Sequence, residues 1–206
     1  MKLVVTLGAA VLALAVSACG EDEGRVSATG TTPTTTSAEP ASAELANDVP
    51  EGVAAQYSVL EEEIAEEGGA VESGPWRIAY IKEPAEGWFR TENGRVVWRE
   101  PARGETAHLE IIPIERDSGR IVPNAGVTLE VLDENGERVE KRPLSFYYAE
   151  FFHYADNFRI PRDGEYTLRA TVEPPSFRRH GDEDNGPALM ESAQVEFENV
   201  MIELDE

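Results

Sequence analysis

From Trp76 onward the sequence breaks into short apolar stretches bounded by turn residues, a pattern that restricts the chain to a β fold. The strand candidates are residues 76–81, 95–99, 107–115, 127–132, 144–148, 154–160, 165–173 and 194–204. Asn93-Gly94, Asn135-Gly136 and Asp163-Gly164 fall between them and read as hairpin-type turns. So many strands in about 130 residues, with no helical period among them, predict an all-β fold. The expected architecture is an immunoglobulin-like β-sandwich of 7–9 strands. The cysteine pair of true immunoglobulin domains is missing, because Cys19 is the sole cysteine. Without a disulfide, core packing alone must stabilise the sandwich.

The segments ahead of the sandwich have other signatures. Residues 3–16 form an apolar run after Lys2, too short to span a bilayer and right for a secretory signal. It leads into Val16-Ser17-Ala18-Cys19, small residues before a cysteine, the pattern of a lipoprotein signal. The expectation is a signal peptide over 1–18, with Cys19 lipidated and anchored to the cell envelope. Residues 19–50, rich in Thr, Ser, Ala, Pro and Glu, cannot bury enough apolar area to fold and read as a tether. Val53, Tyr57, Leu60 and Ile64 recur at helical spacing, so 51–67 is a predicted helix within a 51–75 linker, stopped by Gly68-Gly69. Its run of Glu61, Glu62, Glu63, Glu66 and Glu67 reads as a solvated face. Residues 76–206 make the domain.

Charge removes several functions. With 40 acidic against 18 basic residues, the chain has no basic stripe for nucleic acid. Anionic membrane surfaces are disfavoured for the same reason. Many acids with only three lysines is a composition suited to high salt, where screening tolerates like-charge repulsion. No Gly-x-Ser-x-Gly elbow, phosphate loop or dinucleotide fingerprint is present, and a lipidated Cys19 could not act as a nucleophile. The chain reads as a non-enzyme.

All three histidines fall in the sandwich region. In Ala107-His108-Leu109-Glu110-Ile111, strand alternation puts His108 and Glu110 on one face and Leu109 and Ile111 on the other. An imidazole and a carboxylate so placed can reach one ion, or can simply decorate an outer sheet face. His153 sits in the aromatic stretch Phe151-Phe152-His153-Tyr154, where it could equally be a packed core residue. His180 follows Glu173-Pro174-Pro175, on a loop beside Asp182, Glu183 and Asp184.

Taken in order, His108-x-Glu110, His153-Tyr154-x-Asp156-Asn157 and Glu173-Pro174-Pro175 with its His180 loop resemble the periplasmic iron-transport family of copper-binding proteins and lipoproteins that accompany an iron permease. The resemblance implies a homodimer with a metal site close to its interface. It also implies His108, His153 and His180 as histidine ligands and Glu110 as the carboxylate. The family's methionine ligand falls at Phe146 here, and Met190 is the candidate substitute. Three imidazoles and a carboxylate suit Cu(II) or Zn(II), with Cu(II) ahead in the general affinity order. Glu110, Asp156, Asp182, Glu183 and Asp184 add hard oxygens for iron as a second guest. The expected function is an extracytoplasmic, lipid-anchored metal-binding protein that presents iron to a membrane permease. The alternatives are an immunoglobulin-like lipoprotein that binds a protein or glycan without metal, and a metal-dependent enzyme.

Overall fold

The computed structural model describes residues 49–180, 184 and 186–204. Cys19, the signal segment and the tether up to residue 48 lie outside the described residues, as do Asp182 and Glu183.

The elements run α1 (Glu51–Glu67), β1 (Gly68–Ser73), β2 (Trp76–Pro84), β3 (Trp88–Glu92), β4 (Arg95–Arg99), β5 (Ala107–Glu115), β6 (Arg120–Ile121), β7 (Val127–Leu132), β8 (Arg138–Pro143), β9 (Ser145–Tyr148), β10 (Phe152–Phe158), β11 (Gly164–Val172) and β12 (Ala193–Ile202). One sheet has the order β1-β2-β5-β10-β9, with β6 also paired to β5. The second has the order β12-β11-β7-β8, and β3-β4 stand apart as a hairpin. The two larger sheets share one core. Ile78, Leu109, Ile111 and Phe158 from the first pack with Leu129, Val131, Leu168 and Phe197 from the second. This is the expected immunoglobulin-like sandwich, with a larger strand count.

The extra strands escaped the sequence pattern for physical reasons. β8 is Arg-Val-Glu-Lys-Arg-Pro, a charged strand at a sheet edge, where lysine, arginine and proline protect against further pairing. β1 arises where a linker was expected. Gly68 and Gly69 turn the helix directly into an edge strand, because a Cβ at Gly68 would collide with the backbone carbonyl of Tyr80. Asn93 and Gly94 have φ of 50° and 75°, the left-handed pair that closes the β3–β4 hairpin. Asp163-Gly164 makes no hairpin: it carries the chain from β10 in one sheet to β11 in the other.

β5 is covered on both faces. Leu109 and Ile111 enter the shared core. Ile112 and Ile114 meet Leu60 and Ile64 of α1, with Ala79, Ile81 and Phe151. The helix therefore covers one half of the outer face, although Val53, on its first turn, stays exposed. The other half of that face holds His108 and Glu110, both buried.

Candidate metal centre

Strand register assembles the cluster. In the β5–β10 pair, His108 faces Asn157 and Glu110 faces Ala155. His153, two residues before Ala155, points to the same face and lies diagonally beside Glu110. In the β2–β5 pair, Glu83 faces His108. One ligand atom each from His108, Glu110 and His153 then lie within 4.8 Å of one another. His153 Nε2 is 3.5 Å and His108 Nε2 is 3.8 Å from Glu110 Oε1. Their relative exposures are 0% for His108, 4% for Glu110 and 4% for His153.

Aromatic rings close the cluster toward solvent. Tyr147 is the cross-strand partner of His153 and stacks on it, with ring centroids 5.5 Å apart. The same tyrosine meets His108 edge-on at 5.8 Å and Trp88 edge-on at 5.4 Å. An open groove of about 830 Å³ between the β3–β4 hairpin and β9 reaches His153, lined in part by Trp88, Trp98, Tyr147 and Arg142.

The electrostatics of the cluster are set by burial and by neighbouring acids. Burial, helped by the neighbouring His108, pushes His153 down to about 4. Burial also lowers His108. Glu110 is pushed up to about 9 by burial and then by the carboxylates of Glu83, Glu63, Glu86 and Glu150. At neutral pH this gives two neutral imidazoles beside a protonated carboxyl. His108 Nε2 and Glu110 Oε2 make no well-aligned protein hydrogen bond, and the His153 ring has only the Phe151 backbone beside it. Such under-satisfied polar atoms in one buried spot are costly unless something polar or charged fills the centre. Two neutral imidazole nitrogens and a carboxylate form a donor set that fits a borderline divalent ion such as Cu(II) or Zn(II). A cation would also replace the proton on Glu110.

The remaining expected ligands are elsewhere. His180 is exposed and lines a groove of about 330 Å³ with Glu115, Phe177 and Leu189. Glu115 ends the strand on which His108 lies second, roughly 23 Å away at 3.3 Å per residue. One chain thus brings two histidines together, not three. The loop that carries His180 leaves β11 at the end of the sandwich opposite His108. Met190 is exposed, and the backbone of the next residue, Glu191, accepts a hydrogen bond from Trp76 opposite Glu115, so Met190 belongs to that same far end. Phe146 faces away from the cluster and stacks on Phe152 at 5.3 Å. Asp156 alternates to the face opposite His153 and is engaged by Arg142 at 3.2 Å. Asp184 is exposed.

Three residues of the surroundings were missed as site residues. Glu86 Oε1 lies 3.3 Å from His108 Nε2, and Glu83, Glu86 and Glu110 also form a group within 4.8 Å. Asn157 accepts from His108 and is fully buried. Its place in the His153-Tyr154-x-Asp156-Asn157 stretch was the available signal. Glu83 and Glu86 carried none, since their approach depends on the β2–β5 register.

A sandwich carrying a buried histidine–glutamate cluster on the outer face of one sheet is the class of protein that fold and site define. The family model described as Fe2+ transport protein matches residues 107–201, the stretch holding His108, Glu110, His153, Asn157 and His180. The resemblance read from the sequence holds over that stretch. Among solved structures, FetP of uropathogenic Escherichia coli strain F11 aligns at 20% identity and TM-score 0.50, over 66% of this chain and 95% of that one. A copper-bound variant of FetP aligns at 18% identity and TM-score 0.54, over 68% and 92%. Copper-reconstituted P19 of Campylobacter jejuni aligns at 21% identity and TM-score 0.50, over 65% and 94%. These similarities establish a shared fold. No curated protein matches the sequence.

Proposed function

We propose that this chain is an extracytoplasmic metal-binding protein of an iron-uptake system. His108, His153 and Glu110 hold a divalent ion, with copper, as Cu(II), the preferred guest. The observation that carries this reading is the convergence of three buried ligand atoms within 4.8 Å, flanked by polar atoms that make no well-aligned protein hydrogen bond. A histidine retained only for packing would hydrogen-bond its ring nitrogens. The match to the Fe2+ transport family supplies the iron-uptake context, and copper-bound FetP and P19 support copper as the ion. The neighbouring acids Glu83 and Glu86 suit iron as a second, harder guest. Iron then passes to a membrane permease, and no covalent chemistry is required of the protein.

Two further parts of this reading concern assembly. Lipid on Cys19 anchors the protein to the envelope, and residues 19–50 hold the domain away from it. The protein is a homodimer, and His180 enters the ligand set only when a second copy delivers it. The experiment is titration of metal-chelated protein with Cu(II) and Zn(II), followed by thermal unfolding. A ligand that binds only the folded state raises Tm, by about 2.7 kcal/mol of stability at a hundredfold excess over Kd. No rise in Tm with either ion refutes metal binding and favours the module that binds a protein or glycan.

A further inference from the structure

We infer that Asn157 is a positioning residue that fixes the tautomer of His108, keeping its Nε2 lone pair bare and aimed into the cluster. The inference rests on the metal-binding reading only for its consequence in affinity; the tautomer itself is a property of the metal-free chain.

The argument is one of hydrogen-bond polarity. Asn157 is fully buried on β10, directly across from His108 on β5. Its Nδ2 donates to the Glu86 carbonyl at 2.8 Å and to Glu105 Oε2 at 3.2 Å. Its Oδ1 accepts from the Glu86 N–H at 3.3 Å. Turning the amide over would face its oxygen toward a carbonyl and a carboxylate, and its NH2 toward an N–H. The orientation is therefore determined on both sides. The atom that faces His108 Nδ1, at 2.9 Å, is then the acceptor Oδ1. His108 Nδ1 must carry the proton, and in the neutral ring Nε2 must not.

A second tier holds Asn157 in place. Glu105 can only accept from Asn157 because it stays ionised: burial opposes this, but Arg99, the Ala102 N–H and Asn157 together bring it down to about 2. Arg99 Nη2 grips both carboxylate oxygens, at 2.7 and 2.8 Å, and the Ala102 N–H donates to it at 2.8 Å. The Arg99 guanidinium in turn lies 4.1 Å over the ring of Trp88. The relay Trp88–Arg99–Glu105–Asn157 thus runs from the β3–β4 hairpin to the back of His108. It resembles the outer partners that orient metal-binding imidazoles in general, with an amide in the role often taken by a carboxylate or carbonyl. An amide sets the tautomer without adding a negative charge behind the ring.

The test is long-range proton–nitrogen NMR of the ¹⁵N-histidine-labelled, metal-free chain at a pH where His108 is neutral. The expected result is a protonated Nδ1 and an unprotonated Nε2. A proton on Nε2 overturns the inference, whether or not the chain binds metal. Asn157→Leu, checked for folding by the dispersion of its spectrum, should give mixed tautomers and weaken Cu(II) binding about 10- to 100-fold. Unchanged tautomer and Kd in that variant overturn it as well. If Asn157→Leu does not fold, Asn157→Asp serves instead: protonated on the oxygen that faces the Glu86 carbonyl and Glu105, it still presents an accepting oxygen to Nδ1, so the single tautomer should persist, and its loss would refute the argument. A wild-type chain with the expected tautomer but no Cu(II) affinity defeats the proposed function and leaves this inference standing.

Discussion

Replacing Glu110 by Gln should stabilise the metal-free protein while weakening its response to metal. The carboxyl is driven up to about 9 from 4.5, first by burial and then by Glu83, Glu63, Glu86 and Glu150. An acid whose folded pKa is raised binds a proton more tightly in the folded state. The folded protein is therefore least burdened below the unfolded pKa, and stability is lost as pH rises from 4.5 toward 9. At pH 7 the burden is the 2.5 units between 4.5 and 7, which at 1.36 kcal/mol per unit is about 3 kcal/mol. At pH 5 it is below about 1 kcal/mol, and near pH 8.5 it approaches about 5 kcal/mol. Glutamine has the same shape as the protonated acid and no charge to lose. Urea unfolding of chelated wild type and Glu110→Gln at pH 5, 7 and 8.5 should show the variant ahead by a margin that widens with pH. A margin independent of pH would refute the reasoning, since ionisation of Glu110 in its buried, acid-flanked place is its only source. With Cu(II) present the order should reverse, because the uncharged amide is a poorer ligand than the carboxylate. Such opposite signs mark a site kept for function at the expense of stability.

His108→Ala and His153→Ala should each weaken Cu(II) binding by an order of magnitude or more in calorimetric titration, since each removes one imidazole ligand from the cluster. His180→Ala tests the dimer: loss of Cu(II) affinity that deepens with protein concentration is expected, and unchanged affinity removes His180 from the ligand set. Glu105, depressed to about 2 with its side chain only 2% exposed, contributes stability above pH 4.5 that is lost as pH falls toward 2, so Glu105→Gln should cost about 2–3 kcal/mol in urea unfolding at pH 7 and far less at pH 2.5. Gly68→Ala should lower Tm by the equivalent of about 1–3 kcal/mol, because its Cβ meets backbone that cannot yield without shifting β2.

The sequence by itself determined the helix and the central strands, and which side chains share a face on them, while β1, β3, β6 and β8 escaped it. Period-2 alternation on β5 put His108 with Glu110 and Leu109 with Ile111, and the helical spacing placed α1 at Glu51–Glu67, because both periods follow from backbone geometry alone. It also supplied the motifs that resemble the iron-transport family. Register was beyond it. Which residues of β10 and β2 stand beside β5 depends on hydrogen bonds between segments tens of residues apart, and a slip by one residue would turn every side chain to the other face. Only the tertiary structure therefore decided that His153 sits diagonal to Glu110, that Asn157 backs His108 and that Glu83 and Glu86 approach the cluster. It likewise decided that Asp156 turns away to Arg142 and that His180 lies at the far end of the strand. Residue type announces that a histidine can bind a metal; three-dimensional pairing decides which two histidines meet.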